Sequence, residues 1–168
     1  MIIVSQYELV VKGKIIEIHI KEQSFCPICT GNLLMHGTCV RKLRMPDKDM
    51  ELSLRVLYCP ECKRTHRELP DLIIPYKRHC AQTYAEVYEV KREELACNVD
   101  DKTIRSIRAW VKWFLEFATS FMEGLKIEHP ELPTNYDVGS TLSALRYFVR
   151  LVVNANEWKF SVPPVLSS

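Results

Sequence analysis

No run of this chain approaches the roughly 18 consecutive apolar residues of a membrane-spanning helix. The first residues, MIIVSQYELVVKGKIIEIHIK, have no charged leader ahead of their apolar positions, so a secretory signal is not expected. The expectation is a cytoplasmic protein with no membrane contact, in a compartment where thiols stay reduced. Internal repeats and low-complexity segments are missing as well. So are a Gly-rich phosphate loop, a GxSxG elbow and an HExxH helix. A three-carboxylate nuclease or transposase would need a whole further domain. An enzyme is therefore not expected. Net charge is only +2, too little to imply nucleic acid by itself, and the distribution of charge matters more than the sum. The 168 residues, 47% apolar and 26% charged, leave room for one medium domain or two small ones.

Cysteine is what the chain does have. There are seven, an odd number that suits a disulfide framework poorly. Four of them form two matched units, Cys26-Pro-Ile-Cys29 and Cys59-Pro-Glu-Cys62. Two thiolates on one tight turn can reach the same ion while backbone N–H groups of that turn stabilise the sulfur charge, and two such knuckles close a tetrahedron of sulfurs about 2.3 Å from zinc. Four ligands leave no open position, so one structural Zn2+ is expected. Iron in a rubredoxin-like site uses similar knuckles, and a redox CxxC would make the second pair a coincidence. Thr30 and Lys63 stand where a knuckle turn favours Gly, for its positive φ. Cys39, Cys80 and Cys97 read as small buried apolar residues. His36, His66 and His79 are the alternative ligands, His66 the closest at four residues after Cys62.

The organisation expected around this site is α+β: a small β zinc ribbon followed by an all-α helix-turn-helix bundle. Residues 1–23 form an N-terminal β-hairpin, with Ile16, Ile18 and Ile20 alternating against Glu17, His19 and Lys21. Residues 24–76 form the ribbon, with strands at 33–43 and 50–58 around Pro46-Asp47-Lys48-Asp49 and an extended, proline-bounded connector at 69–75. Residues 77–160 form the helical domain and 161–168 a tail. Its helices are expected at 82–96, from Asp101 to Met122, and at 141–154, the last capped by Asp137 or Ser140. Pro130 and Pro133 break the chain before it.

VDDKTIRSIRAWVKWFLEF carries the second signal. Asp100 or Asp101 can cap the helix, and Ile104, Ile107, Trp110, Val111, Phe114, Leu115 and Ala118 define one apolar face. With a turn at Cys97-Asn98-Val99 after the preceding helix, the layout is that of a helix-turn-helix. Lys102, Thr103, Arg105, Ser106, Arg108 and Lys112 are then the candidate contacts to double-stranded DNA. Arg41, Lys42 and Arg44 on the hairpin and Lys63 and Arg64 after the second knuckle would add phosphate contacts, with Arg67, Lys77 and Arg78 close by. The bland alternative is an amphipathic helix with a solvated basic face.

CPIC, CPECKRTHRELPDLIIPYKRHC, DDKTIRSIRAWVKWF and ALRYFVRLVVNANEW together resemble a family of small bacterial zinc-ribbon proteins with no assigned activity. That family is similar to the N-terminal regions of some transposases and goes with mobile elements. The resemblance spans residues 26–158 and implies a DNA-binding ribbon and helix-turn-helix, with Cys26, Cys29, Cys59 and Cys62 as metal ligands. The expected function is a DNA-binding accessory or regulator of transposition, with a transposase or recombinase as partner. Leu142, Leu145, Phe148 and Val152 are read first as completing the core around the helix pair, with a homodimer contact as the alternative. The competing reading is a protein–protein adaptor that docks through the ribbon and the last helix.

Overall fold

The computed structural model describes residues 1–95, 97, 99–129 and 139–158. Asn98 of the expected turn, the Pro130/Pro133 break, the Asp137 cap and the tail at 161–168 lie outside the described residues. Six strands come first: β1 (Ile2–Val4), β2 (Tyr7–Lys12), β3 (Ile15–Ile20), β4 (Leu34–Arg44), β5 (Asp49–Cys59) and β6 (Arg64–Pro70). They are followed by α1 (Ala81–Glu89), a single 3-10 turn at Arg92–Glu94, α2 (Asp101–Glu128) and α3 (Thr141–Asn154).

Strand β5 is the hub of the sheet. Along one edge β4 pairs with it antiparallel over its whole length, from Leu34 opposite Tyr58 to Arg44 opposite Asp49. The other edge is divided. Residues 51–53 take β3 in parallel, and residues 56–59 take β6 antiparallel. Strand β1 then adds to β6 in parallel, Ile2 opposite Glu68, while β2 folds back on β3 through a turn with Gly13 at φ +63°. The result is a mixed six-stranded half-barrel.

The expected small β zinc ribbon followed by an all-α helix-turn-helix bundle is therefore corrected. The helices do pack on one another, α1 against both α2 and α3, but α3 also packs on β1 and the helical core runs on into that of the sheet. Leu52 and Leu54 of β5, Ile3 of β1 and Leu69 of β6 share one core with Ile104, Val111 and Phe114 of α2 and Leu145 and Val149 of α3. The apolar stripes predicted from helical spacing are real, and they are buried between the helices in a core continuous with that of the sheet. At the far end, the Asn154 side chain clamps β1, accepting from Ile3 N at 2.8 Å and donating to Ile3 O at 2.9 Å. First strand and last helix are thus tied together.

The three-residue turn of a helix-turn-helix is not formed either. Helix α1 ends at Glu89, and its cap Val90 is extended, ψ 145°. Eleven residues then separate it from α2, including the 3-10 turn. Arg108 explains the early stop. From α2 its Nε donates to the Val87 carbonyl and its Nη2 to the Val90 carbonyl, both at 2.8 Å, satisfying carbonyls that a continuing helix would have used. Helix α2 starts as expected, with the Asp100 carboxylate accepting from Thr103 N at 2.9 Å. Ser140 caps α3.

Candidate metal centre

The sheet brings the two Cys-Pro-x-Cys units to one point. Cys59 ends β5, Cys62 lies in the turn to β6, and Cys26 and Cys29 sit in the loop from β3 to β4, which is pinned by a bridge between Phe25 and Asn32. The first knuckle closes on itself through Thr30 N to Cys26 O at 2.9 Å and Cys26 N to Gly31 O at 3.0 Å. Thr30 and Lys63 adopt φ +58° and +56°. Both residues that stand in place of Gly thus take the left-handed conformation that the knuckle demands.

The four Sγ atoms lie within 4.8 Å of one another. Cys26 and Cys62 are separated by 3.6 Å, and Cys29 and Cys59 by 3.4 Å. Sulfurs about 2.3 Å from a central tetrahedral zinc stand about 3.8 Å apart, so these separations fit a four-thiolate site. A disulfide would need about 2.05 Å, and all seven cysteines are free thiols. Backbone N–H groups point at the sulfurs: Ile28 and Cys29 at Cys26, Gly31 at Cys29 and Arg64 at Cys62.

The electrostatics follow from crowding. Burial pushes the Cys26 thiol up, but the Ile28 and Cys29 N–H groups and the Cys62 thiol outweigh it and bring it down to about 7. At Cys29 the Gly31 N–H draws the thiol down. The Cys59 thiol, burial and the Cys26 thiol push it up more strongly, to about 12. Burial and the neighbouring thiols also raise Cys62. Cys26, Cys29, Cys59 and Cys62 are therefore able to hold one tetrahedral metal ion, closed to further ligands.

Around these thiols lies a shell of which the sequence singled out only His66, and that as an alternative ligand. His66 of β6 is buried, with Nε2 3.4 Å from Cys26 Sγ. Burial pulls its basicity down, helped by the Met1 amine and Arg64, which favours the neutral ring beside the sulfur. Glu68, two residues further on, is 1% exposed. It accepts from Ser24 Oγ and from Arg55 Nε, each at 2.5 Å. Ser24 stands two residues before Cys26, so Glu68 links the start of the first knuckle to β5 and β6.

The predicted DNA contacts do not gather on one face. Lys102, Arg105, Ser106 and Lys112 are exposed on α2, whereas Thr103 is tied to Asp100 and Arg108 is turned inward onto α1. Arg41 is half-buried, its Nη2 donating to Lys77 O at 2.7 Å. Lys42 pairs with Glu51 at 3.4 Å. Arg44 is exposed at the end of β4, and Lys63 and Arg64 on the second knuckle.

Fold and site together define a protein with a mixed sheet, three helices and a four-cysteine centre suited to a metal. No helix among the described residues is long and apolar enough to cross a membrane. The family described as a domain of unknown function (DUF6431) matches residues 26–108, a stretch that runs from the first cysteine of the centre to Arg108 on α2. No curated protein and no solved structure matches the chain.

Proposed function

We propose that this chain is a zinc-dependent protein that binds double-stranded DNA, working in the cytoplasm as an accessory or regulator of transposition. The ion is structural. It fixes the loop before β4 to the β5–β6 turn, and so fixes the turn and strands that carry Arg41, Arg44, Lys63 and Arg64. Zinc is favoured over iron because thiols in a reducing compartment hold it without redox change. The mobile-element association rests on the sequence resemblance alone.

The observation that carries DNA binding is the row of Lys102, Arg105 and Lys112 along the exposed side of α2. Several cations elsewhere are matched with carboxylates, Lys12 with Glu17, Lys21 with Glu8, Arg55 with Glu68 and Arg150 with Glu22. Arg44, Lys63, Arg64, Arg67 and Arg78 join the α2 row in having no such ion pair among the described residues. Unmatched cations on a rigid helix suit phosphates, whose contacts position a protein on a duplex. The test is fluorescence anisotropy with duplex DNA across a salt series. Binding that weakens steeply with salt, and weakens further in Arg105→Ala and Lys112→Ala, is expected. Binding indifferent to both substitutions would move the protein to the adaptor reading.

One observation favours that second reading. Phe25, Ile28, Leu34 and Met35, all within eleven residues of the first knuckle, are each about half exposed. The apolar face of α3 is spent in the core, so an adaptor would dock through the knuckle rather than the last helix.

A further inference from the structure

Two adjoining hollows of about 350 and 470 Å³ open between β4, β6 and the connector that leads to α1. They share Cys39, Arg41, Arg67 and Tyr76 as walls. Arg78 completes the free basic side, Lys42 being paired with Glu51 and the Lys77 ammonium lying over Trp110, and no carboxylate lines either hollow. The crowding is felt: burial and the adjacent Arg67 guanidinium both pull Arg41 down. Cations gathered against their own repulsion, without a matching acid on the walls, make a site for an anion.

Tyr76 says which kind. Residues 74–77 form a turn closed by Lys77 N to Ile74 O at 3.1 Å, with Pro75 second and Tyr76 third at φ +60°. That is the pattern of a type II turn, whose third place belongs to Gly or Asn. A bulky aromatic there strains the backbone, and strain of this kind points to use. The ring is 80% exposed and stacks on no other ring among the described residues. The turn beneath it is rigid. Arg41 Nη2 grips its last carbonyl at 2.7 Å, and the Lys77 ammonium sits 4.8 Å above the Trp110 ring. A solvent-facing aromatic ring on a hydrogen-bonded turn beside a basic cleft is the arrangement that binds single-stranded nucleic acid, phosphates on cations and base on ring.

We propose that this cleft takes an unpaired nucleotide of a DNA strand, its base stacked on Tyr76 and its phosphates on Arg67, Arg78 and Arg41. Hollows of this size admit one nucleotide and not a duplex. The proposal deepens the DNA-binding reading and rests on it: α2 would hold the duplex while the cleft takes an end or an opened strand.

The test uses the zinc-loaded full chain and three labelled probes: a blunt duplex, the same duplex with a short thymidine overhang, and oligo(dT). The overhang is expected to bind roughly 10-fold tighter than the blunt end, within the range of stacking one base on an aromatic ring. Tyr76→Gly should erase that gain while blunt-duplex binding stays the same. Because Gly suits the positive φ, this variant should melt no lower than the parent, so a folding defect is not in question. Arg67→Ala, at an exposed position, should weaken the overhang more than the duplex. Blunt duplex bound with no overhang preference, or Tyr76→Gly without effect, overturns the cleft and leaves the DNA reading standing. If no probe binds, both fall. Displacement of the overhang by polyglutamate as readily as by oligo(dT) would reduce the cleft to a bare patch of charge and overturn the assignment.

Discussion

Thr30 and Lys63 hold the same backbone conformation, φ +58° and +56°, one residue after the second cysteine of each knuckle. Each accepts a strained position so that the next backbone N–H, from Gly31 or Arg64, can point at a sulfur. The two knuckles are thus built alike although their sequences differ.

The first prediction follows from that pair. Non-Gly residues in this region cost about 1 kcal/mol or more, whereas Gly placed in an ordinary strand or helix is destabilising by a similar amount. Thr30→Gly and Lys63→Gly should therefore raise the melting temperature of the zinc-loaded protein slightly, by about 2 °C each. Calorimetry on the two variants checks the sign. A drop in both would contradict the knuckle geometry.

His66 gives the second. Its Nε2 lies 3.4 Å from Cys26 Sγ, close enough to orient and quieten the thiolate while remaining outside the four-sulfur set. Loss of such a partner typically costs about 10-fold in metal affinity. In His66→Ala, metal transfer to a coloured chelator should accelerate by about that factor, with the stoichiometry and the cobalt spectrum of four thiolates unchanged. A shifted cobalt spectrum would make His66 a ligand.

The sequence told much about the pieces and less about their assembly. The β2–β3 hairpin, β4 and β5, α2 and α3 follow directly from period-two or helical spacing, and the two Cys-Pro-x-Cys units point to their shared site. Strand β6 is hidden because the residues it turns inward, His66 and Glu68, are polar. They face inward to serve Cys26, Ser24 and Arg55, so RTHRELP shows no apolar alternation. β1 is three residues long and takes its place only through pairing with β6. The stripe of Tyr84, Val87 and Tyr88 runs on to Lys91 and Leu95 as if α1 continued. Nothing local shows that Arg108, eighteen residues beyond Val90, will cap α1 there.

That capping role yields a third prediction, which separates two arginines three residues apart. Arg108→Ala should destabilise the fold by about 2 kcal/mol, the worth of hydrogen bonds from a charged group, with a matching fall in melting temperature. Arg105→Ala should change stability by no more than about 0.5 kcal/mol. It should instead weaken duplex binding and lower the salt slope by about one. Equal melting behaviour of the two variants would contradict the assignment.

A fourth concerns the buried carboxylate of Glu68. Arg55→Ala strands that charge beneath the first knuckle, and losing one partner of a buried pair costs about 3 kcal/mol or more. The double variant Arg55→Ala with Glu68→Gln should recover much of the loss, because a neutral amide needs no counter-charge. Urea unfolding of the parent, both single variants and the double variant reads this out. Strict additivity would show that the two side chains act independently.

The most direct test is the metal content of the purified protein, measured together with the thermal melt before and after a strong chelator. About one zinc per chain is expected, with cooperative folding lost on chelation and restored when zinc is returned, and with Cys59→Ser failing to hold the ion. Metal-free protein that melts as the parent does would contradict it.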